Sequence, residues 1–329
     1  MAYLLGESVN MGVGNETTRG TAVSPSDFVP ARTTATIQKV VEKAMIKEGR
    51  ATKVGSYGSE ITHARGEGEL EFNVKNRTIG YFLKSLLGSV SSALKGGETV
   101  VYNHTFGILV GTPQNPTITI ALAQQGFQDY QYNGAIVNKL ELEAPIDDVV
   151  KAKASFISRD ETEVADYTVA FASNDHLFRN YDFKVRIADT LGGLTGATPL
   201  ALKEFKLAIA NNGKANHIIS SIIPDDVLAG MAEIGGSMTI DYIDKSNYDT
   251  YKSNAYKYMQ IEMINTTQTI GVSSNPKILI TMHKVSFTNY KADRPLDEIV
   301  SEQIDFNAHY SIADSKAIEV VLTNEKATY

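Results

Sequence analysis

The sequence predicts a mainly β protein built from two similar modules in tandem. Three observations predict it. Apolar and polar residues alternate with a period of two in many segments, helical spacing occurs in only two main places, and three pairs of matching landmarks recur in the same order in the two halves. Strict alternation marks a strand with one buried and one wet face. Ordered landmarks at long offset mark a repeated unit.

Residues 1–35 come first. They are rich in Gly, Ser, Thr and Pro, and Gly12, Gly14, Gly20, Pro25 and Pro30 break any period. The expectation is an extended arm with little core of its own. The opening Met1-Ala2-Tyr3-Leu4-Leu5-Gly6-Glu7 has no basic region and is interrupted by Glu7, which does not fit a secretory signal. From Thr36 onward alternation dominates. Glu69-Leu70-Glu71-Phe72-Asn73-Val74 puts Leu70, Phe72 and Val74 on a buried face and Glu69, Glu71 and Asn73 on a wet one. Further strands are predicted over 117–122, 138–142, 149–157, 183–187, 203–210, 237–242, 277–282, 304–310 and 318–322. Helices are predicted over 78–87, stopped by Gly88, and over 246–259, with Ser246 as cap. Pro224-Asp225-Asp226-Val227 reads as a short helical start, and Gly192-Gly193-Leu194-Thr195-Gly196 as a turn. The predicted core includes Leu70, Phe72, Val74, Phe156, Met238, Ile240, Tyr242 and Phe306.

The landmarks define the repeat. Pro145-Ile146-Asp147-Asp148-Val149-Val150, six residues before Phe156, matches Pro295-Leu296-Asp297-Glu298-Ile299-Val300 before Phe306, at an offset of 150. Asn115-Pro116 matches Asn275-Pro276 at 160, and Gly68-Glu69-Leu70-Glu71-Phe72 matches Gly236-Ser237-Met238-Thr239-Ile240 at 168. The drift means that the first copy carries about 18 extra residues. The expected domains are 1–172, the arm plus the first module, and 173–329, the second.

Composition excludes several classes. The chain has 329 residues, 43% hydrophobic and 21% charged, which is globular and not disordered or collagenous. With no Cys, disulfides, thiolate metal sites and cysteine nucleophiles are out. No apolar run approaches the roughly 18 residues of a membrane helix, and no membrane partner is expected. A net charge of −7 is a poor basis for gripping nucleic acid through its phosphates, but suits a surface to which nucleic acid must not stick.

Catalytic signatures are missing as well. The histidines at 63, 104, 176, 217, 283 and 309 never fall within four residues of each other. Asp147-Asp148 and Asp297-Glu298 follow prolines and precede β-branched runs, as turn acids do. Gly12-Val13-Gly14 lacks the third glycine, strand and helix of a dinucleotide loop, and there is no P-loop or nucleophile elbow. No catalytic, cofactor-binding or metal residue is assigned, and the expectation is a protein that is not an enzyme.

One stretch carries a resemblance. Phe178-Arg179-Asn180-Tyr181-Asp182-Phe183-Lys184-Val185-Arg186-Ile187 leads into Leu202-Lys203-Glu204-Phe205-Lys206-Leu207-Ala208-Ile209-Ala210-Asn211-Asn212. A strand ending in a doubled Asn, then a loop, a Gly-led alternating strand and a helix, resembles the tail tube proteins of long-tailed bacteriophages. Leu4-Leu5-Gly6-Glu7-Ser8 and Glu16-Thr17-Thr18-Arg19-Gly20-Thr21-Ala22 look like that family too. The resemblance covers nearly the whole chain. The first module departs from it, because residues 36–45 lack the doubled Asn.

The resemblance implies β-sandwich modules, each with a flanking helix, assembled into rings that stack around a lumen. DNA transits that lumen without specific binding, and the tape measure protein fills it before ejection. The other implied partners are further copies of the chain, the tail terminator and the distal tail proteins. The implied location is the virion tail, with assembly in the host cytoplasm. Rings of this kind have six-fold symmetry with one module per subunit. Two modules per chain then imply a pseudo-hexameric trimer, or alternatively a hexamer whose extra module decorates the outside. The wet-face residues Glu69, Glu71, Asn73, Ser237, Thr239 and Asp241 are the lumen-facing candidates, the alternative being that they face bulk water. From other classes, a cell-surface or secreted β-sandwich binding module and an enzyme with a site assembled only in space stay open.

Overall fold

A computed structural model describes residues 3–50, 53–111 and 113–329. It is mainly β, with seventeen of nineteen strands joined into one hydrogen-bonded network among the described residues. In chain order the strands are β1 (Val9–Asn15), β2 (Asp27–Val29), β3 (Ala31–Ile46), β4 (Gly58–Asn73), β5 (Gly88–Leu94), β6 (Tyr102–Ile108), β7 (Ile118–Gln124), β8 (Asp129–Pro145), β9 (Lys151–Ser158) and β10 (Asp160–Val164). They continue as β11 (Phe183–Ala188), β12 (Leu202–Ala210), β13 (Lys214–Asn216), β14 (Asp226–Leu228), β15 (Glu233–Asp241), β16 (Lys257–Ile264), β17 (Lys277–Asp293), β18 (Ser301–Ala308) and β19 (Ile318–Asn324). Helix α1 (Ile79–Leu87) follows β4, and α2 (Ser246–Ser253) follows β15.

Each half contains the same antiparallel order. In the N-terminal half it runs β1-β7-β8-β9-β4-β3, and in the C-terminal half β11-β16-β17-β18-β15-β12. The register agrees residue by residue. Gly68 lies opposite Phe156 and Ile37, and Gly236 lies opposite Phe306 and Leu207. The β8–β9 ladder slips between Val137 and Lys139, and the β17–β18 ladder between Phe287 and Asn289, 150 residues later. A second slip recurs where Ile118 and Ile120 meet β8, and where Lys257 and Met259 meet β17. Such bulges bend a strand and raise its twist. Here they let the 17-residue strands β8 and β17 change partners and serve two layers of a sandwich.

The front layer is one continuous sheet across both halves, β3-β4-β9-β8-β12-β15-β18-β17, because β12 pairs along β8 from Ala210–Lys139 to Glu204–Pro145. The back layer is β1-β7-β8 with β2 and β10 in one half. In the other it is β11-β16-β17, extended by β19, β6 and β5. The predicted core is buried between them. Leu70, Phe72 and Val74 have no exposure, and Met238, Ile240, Phe156 and Phe306 have 2% or less. Tyr242 is the exception at 37%, because β15 ends one residue earlier.

The helices differ. In α1 every residue except Lys84 is buried, with Phe82 against Phe72 and Phe156 and with Gly88 closing it in the left-handed conformation. It is a core element and not a flanking one. The C-terminal residue covers it: Tyr329 lies over Gly80, where a Cβ would fall 2.2 Å from its ring, and donates to the Arg77 carbonyl at 2.6 Å. Only Thr250 of α2 is buried. That helix stops at Asn254, also left-handed, so the predicted helix over 246–259 is too long. Its last residues enter β16, whose alternation Met259, Ile261, Met263 is buried.

Three other expectations are corrected. Residues 1–35 are not a loose arm: β1 and β2 bury Met11, Val13, Phe28 and Val29. Met1 and Ala2 of that segment lie outside the described residues. The Glu16 carboxylate accepts from Thr119 Oγ1 at 2.9 Å, Gly20 N at 2.7 Å and Gly134 N at 2.8 Å, and also from Thr117 Oγ1. Arg19 grips both carboxylate oxygens of Asp226 at 2.9 and 2.8 Å and the carbonyls of Asn115 and Val227. Residues 224–227 lead into a strand, β14, and not a helix. The Asn115-Pro116 and Asn275-Pro276 match is not a register match. Pro116 precedes β7 and Pro276 precedes β17, whereas the counterpart of β7 in the ladder is β16.

Candidate lumen and assembly surface

The candidate residues alternate with core residues along β4 and β15, so burial of one set exposes the other. Glu69, Glu71 and Asn73 on β4, and Ser237, Thr239 and Asp241 on β15, all lie on the same outer face of the front sheet. Strands β9, β8 and β12 separate the two sets. A recess of about 480 Å³ indents this face across the junction, and both Glu71 and Ser237 line it.

The electrostatics differ from what β4 and β15 alone suggest. Those two strands offer mainly acids, but the strands between them add lysines to the same face, and each pairs with an acid. Lys153 meets Glu69 at 2.7 Å, Lys151 meets Glu143 at 3.4 Å and Lys139 meets Glu141 at 2.7 Å. Lys206 lies 2.7 Å from Glu204 and 4.0 Å from Glu143, and Lys203 lies 2.8 Å from Asp241 at the rim. Glu71 accepts from Thr33 and lies 3.7 Å from Arg32, which also donates to Asn73 Oδ1 at 3.2 Å. The bonds to Glu69 and Glu204 hold the ammonium groups of Lys153 and Lys206 above their ordinary pKa. Glu67, Glu69, Glu71, Glu141, Glu143, Glu204, Glu233, Asp241, Asp293 and Asp305 share the face with Arg32, Arg65, Lys139, Lys151, Lys153, Lys203, Lys206 and Lys291, so its balance is slightly acidic. Among the described residues, all of these cations but Lys291 lie against carboxylates and compete poorly for phosphate.

The doubled Asn has a structural use that sequence reasoning did not assign. Asn211, 2% exposed, donates to the Leu86 carbonyl at 2.8 Å and the Val137 carbonyl at 3.1 Å. A residue of the C-terminal half thus caps the helix of the N-terminal half. Asn212 turns the chain with a φ of 48°. Asn115 supports the same helix end, donating to Ser85 O at 3.0 Å and Leu86 O at 2.8 Å.

Two further surfaces stand out. The β3–β4 hairpin runs on past its contact with β9, which ends at Gly66, and exposes Val41, Met45, Tyr57 and Ile61. The β17–β18 turn exposes Leu296 completely. No cluster of His, Asp and Glu arranged to hold a metal occurs among the described residues. His63 and His217, far apart in sequence, meet at the base of the hairpin with ring centroids 4.3 Å apart and planes tilted by 56°. Burial, with His63 and Arg65 beside it, pushes the His217 imidazole below its ordinary pKa.

A family model described as phage tail tube protein matches residues 6–308. No curated protein matches the chain.

Proposed function

The chain belongs to the phage tail tube protein family, and from that premise we propose that it is a tail tube subunit whose two halves, 1–172 and 173–329, are tandem copies of one ring-forming module. The observation that carries this reading is the shared ladder. The same six-strand order, the same two bulges and the same glycine opposite the same phenylalanine recur in both halves, and β8 and β12 join the halves edge to edge. A module joined to its copy through a sheet edge favours a wall in which all modules are alike. Three chains then make a pseudo-hexameric ring. The hexamer with a decorating second module fits less well, because β12 and β15 continue the same sheet.

In this reading the polar face of the front sheet lines the lumen, with Glu69, Glu71, Asn73, Ser237, Thr239 and Asp241 on it. Its acidic balance and paired lysines offer DNA no free cation track, so the strand slides. Rings stack through the exposed end of the β3–β4 hairpin. The tape measure protein fills the lumen before ejection, and the tail terminator and distal tail proteins close the ends. Assembly occurs in the host cytoplasm and the product resides in the virion tail.

Negative-stain microscopy of purified protein tests the assembly. Rings or tubes with three-fold top views support the reading, six-fold rings of whole chains favour the decorated hexamer, and monomers at every concentration refute it. The lumen is tested separately with Glu69→Lys and Glu71→Lys. Normal rings with slowed genome ejection support the assignment, and normal ejection kinetics refute it.

A further inference from the structure

The contact between the two halves serves as a template for a contact between two chains. Within one chain β12 lends its edge to β8, with Lys206 opposite Glu143, Leu207 opposite Leu142 and Ala208 opposite Glu141. Beyond the last pair, the Pro145-Ile146 turn sits against the start of the C-terminal half, in a recess lined by Asn180, Phe183, Leu200 and Leu202 that has about 190 Å³ left open.

The ladders identify the counterpart of every part. Strand β3 corresponds to β12, because Thr36 lies opposite Glu69 as Lys206 lies opposite Ser237. Strand β17 corresponds to β8, and Pro295-Leu296 to Pro145-Ile146. Gly6, Val9 and Ala31 correspond to Asn180, Phe183 and Leu202, and together with Pro30 and Arg32 they line a recess with about 750 Å³ open. Ala31 and Ala35, opposite Phe72 and Leu70, stand where the C-terminal half has Leu202 and Phe205, opposite Ile240 and Met238. Among the described residues, β3 pairs only with β4, and the Asn289–Asp293 stretch of β17 pairs only with β18. Leu296 is 100% exposed. Each half of the interface is present and lacks a partner strand; on β3 the Ile37 carbonyl accepts from the Tyr132 hydroxyl at 3.1 Å and keeps its second lone pair for a strand.

We propose that β17 of a second copy of this chain adds to the free edge of β3, antiparallel, with Thr36 opposite Asp293, Ile37 opposite Ala292 and Gln38 opposite Lys291, and that Leu296 of that copy enters the recess beside Gly6, Val9 and Pro30. The inference rests on the tube-subunit reading and gives it an interface. The contact extends the existing front sheet across the chain boundary, which satisfies two exposed edges at once. It is head-to-tail, so it repeats until a ring closes.

Cysteine cross-linking tests the register, since the chain has no Cys of its own. Gln38→Cys with Lys291→Cys places two thiols directly opposite, within disulfide reach. Gln38→Cys with Asp293→Cys is one pair out of register, at roughly 7–8 Å. Ala208→Cys with Glu141→Cys is the same geometry inside one chain. Mild oxidation of the full-length protein is expected to link the first pair between chains, giving covalent dimers and trimers on a non-reducing gel, to link the second pair poorly and to close the third within a chain. Rings or tubes that form with the in-chain link but without the 38–291 link overturn the interface and leave the tube reading standing. Protein that sediments as a monomer with no inter-chain link overturns both. Leu296→Asp, at a fully exposed position that folding does not use, is expected to weaken association by roughly 30-fold. Unchanged association overturns the docking of the turn.

Discussion

A matched pair of substitutions, Gly68→Ala and Gly236→Ala, gives a direct test of the equivalence of the two halves. Both glycines sit in strand interiors with ordinary extended backbone, so the cost of a side chain there is steric and not conformational. An added Cβ on Gly68 would lie 2.2 Å from the Thr36 carbonyl oxygen, and one on Gly236 would lie 2.1 Å from that of Lys206. Thr36 and Lys206 occupy the same register position. Real Cβ atoms essentially never approach within 3.0 Å, so each pair of strands must part by about 0.8–0.9 Å in the middle of the front sheet. The obstacle is backbone, and Ile37 Cα and the Phe306 ring crowd the same points at 2.6 and 2.7 Å, so no flexible side chain can absorb the move. Overpacking of this kind costs about 3 kcal/mol. At about 2–4 °C per kcal/mol, each variant should melt some 6–12 °C below the parent. The chain has no Trp, so far-UV circular dichroism in a thermal or urea series is the suitable readout. Gly192→Ala, with nothing within 4 Å of its Cβ, is the control and should stay within about 1 kcal/mol. If either strand variant matches the control, the steric argument is wrong. If one is severe and the other silent, the two positions are not equivalent.

Asn211→Ala should cost about 1–2 kcal/mol in urea denaturation. It strips the Val137 carbonyl of a buried donor, while Leu86 keeps Asn115, and parental stability would mean that the cap is idle. Hydrogen bonds from Ser274 and from the backbone of Val272 and Ser273 hold the Glu98 carboxyl at about 2, against an ordinary 4.5. With the folded pKa depressed, the stabilisation is present above pH 4.5 and is lost as pH falls towards 2. The gap between the parent and Glu98→Gln in denaturation midpoint should therefore close over that window, and a constant gap would refute the assignment. Met45→Glu with Ile61→Glu, both exposed on the hairpin, should leave folding intact and give rings that do not elongate in negative stain. Full-length tubes would exclude the hairpin from stacking.

The period-two signal located the strands whose two faces differ most. Leu70, Phe72, Met238 and Ile240 were legible because acids and hydroxyls alternate with them. Strand β1 was not, since Gly12 and Gly14 read as breaks. They are required by close packing instead: a Cβ on Gly12 would lie 2.7 Å from Pro25, and one on Gly14 would lie 2.7 Å from the Ser24 carbonyl oxygen. The first three residues of β16, 257–259, fall inside the predicted helix because a strand and a helix end can share the same few apolar positions over so short a stretch. The polar face was legible strand by strand, but its charge was not. The lysines that neutralise Glu69 and Glu143 come from sheet neighbours, and adjacency in a sheet is a property of the ladder and not of sequence spacing.

The repeat shows the same limit from the other side. It was legible where a residue type is forced by geometry: a glycine where two backbones touch, a phenylalanine opposite it, a proline after the bulged strand. It was misread at Asn115-Pro116, because two turns of similar composition precede strands that are not counterparts. Strands β3 and β12 share no residue over the six positions Ala35 to Val40 and Phe205 to Ala210, and their equivalence rests on their place in the ladder and on the glycine each one crosses. Edge pairing is made by backbone groups, which every residue but proline supplies alike, so an edge can keep its partner while its side chains diverge. That is why a contact between chains can be inferred from a ladder inside one chain, and why alignment of the two halves at the level of residues would not have found it.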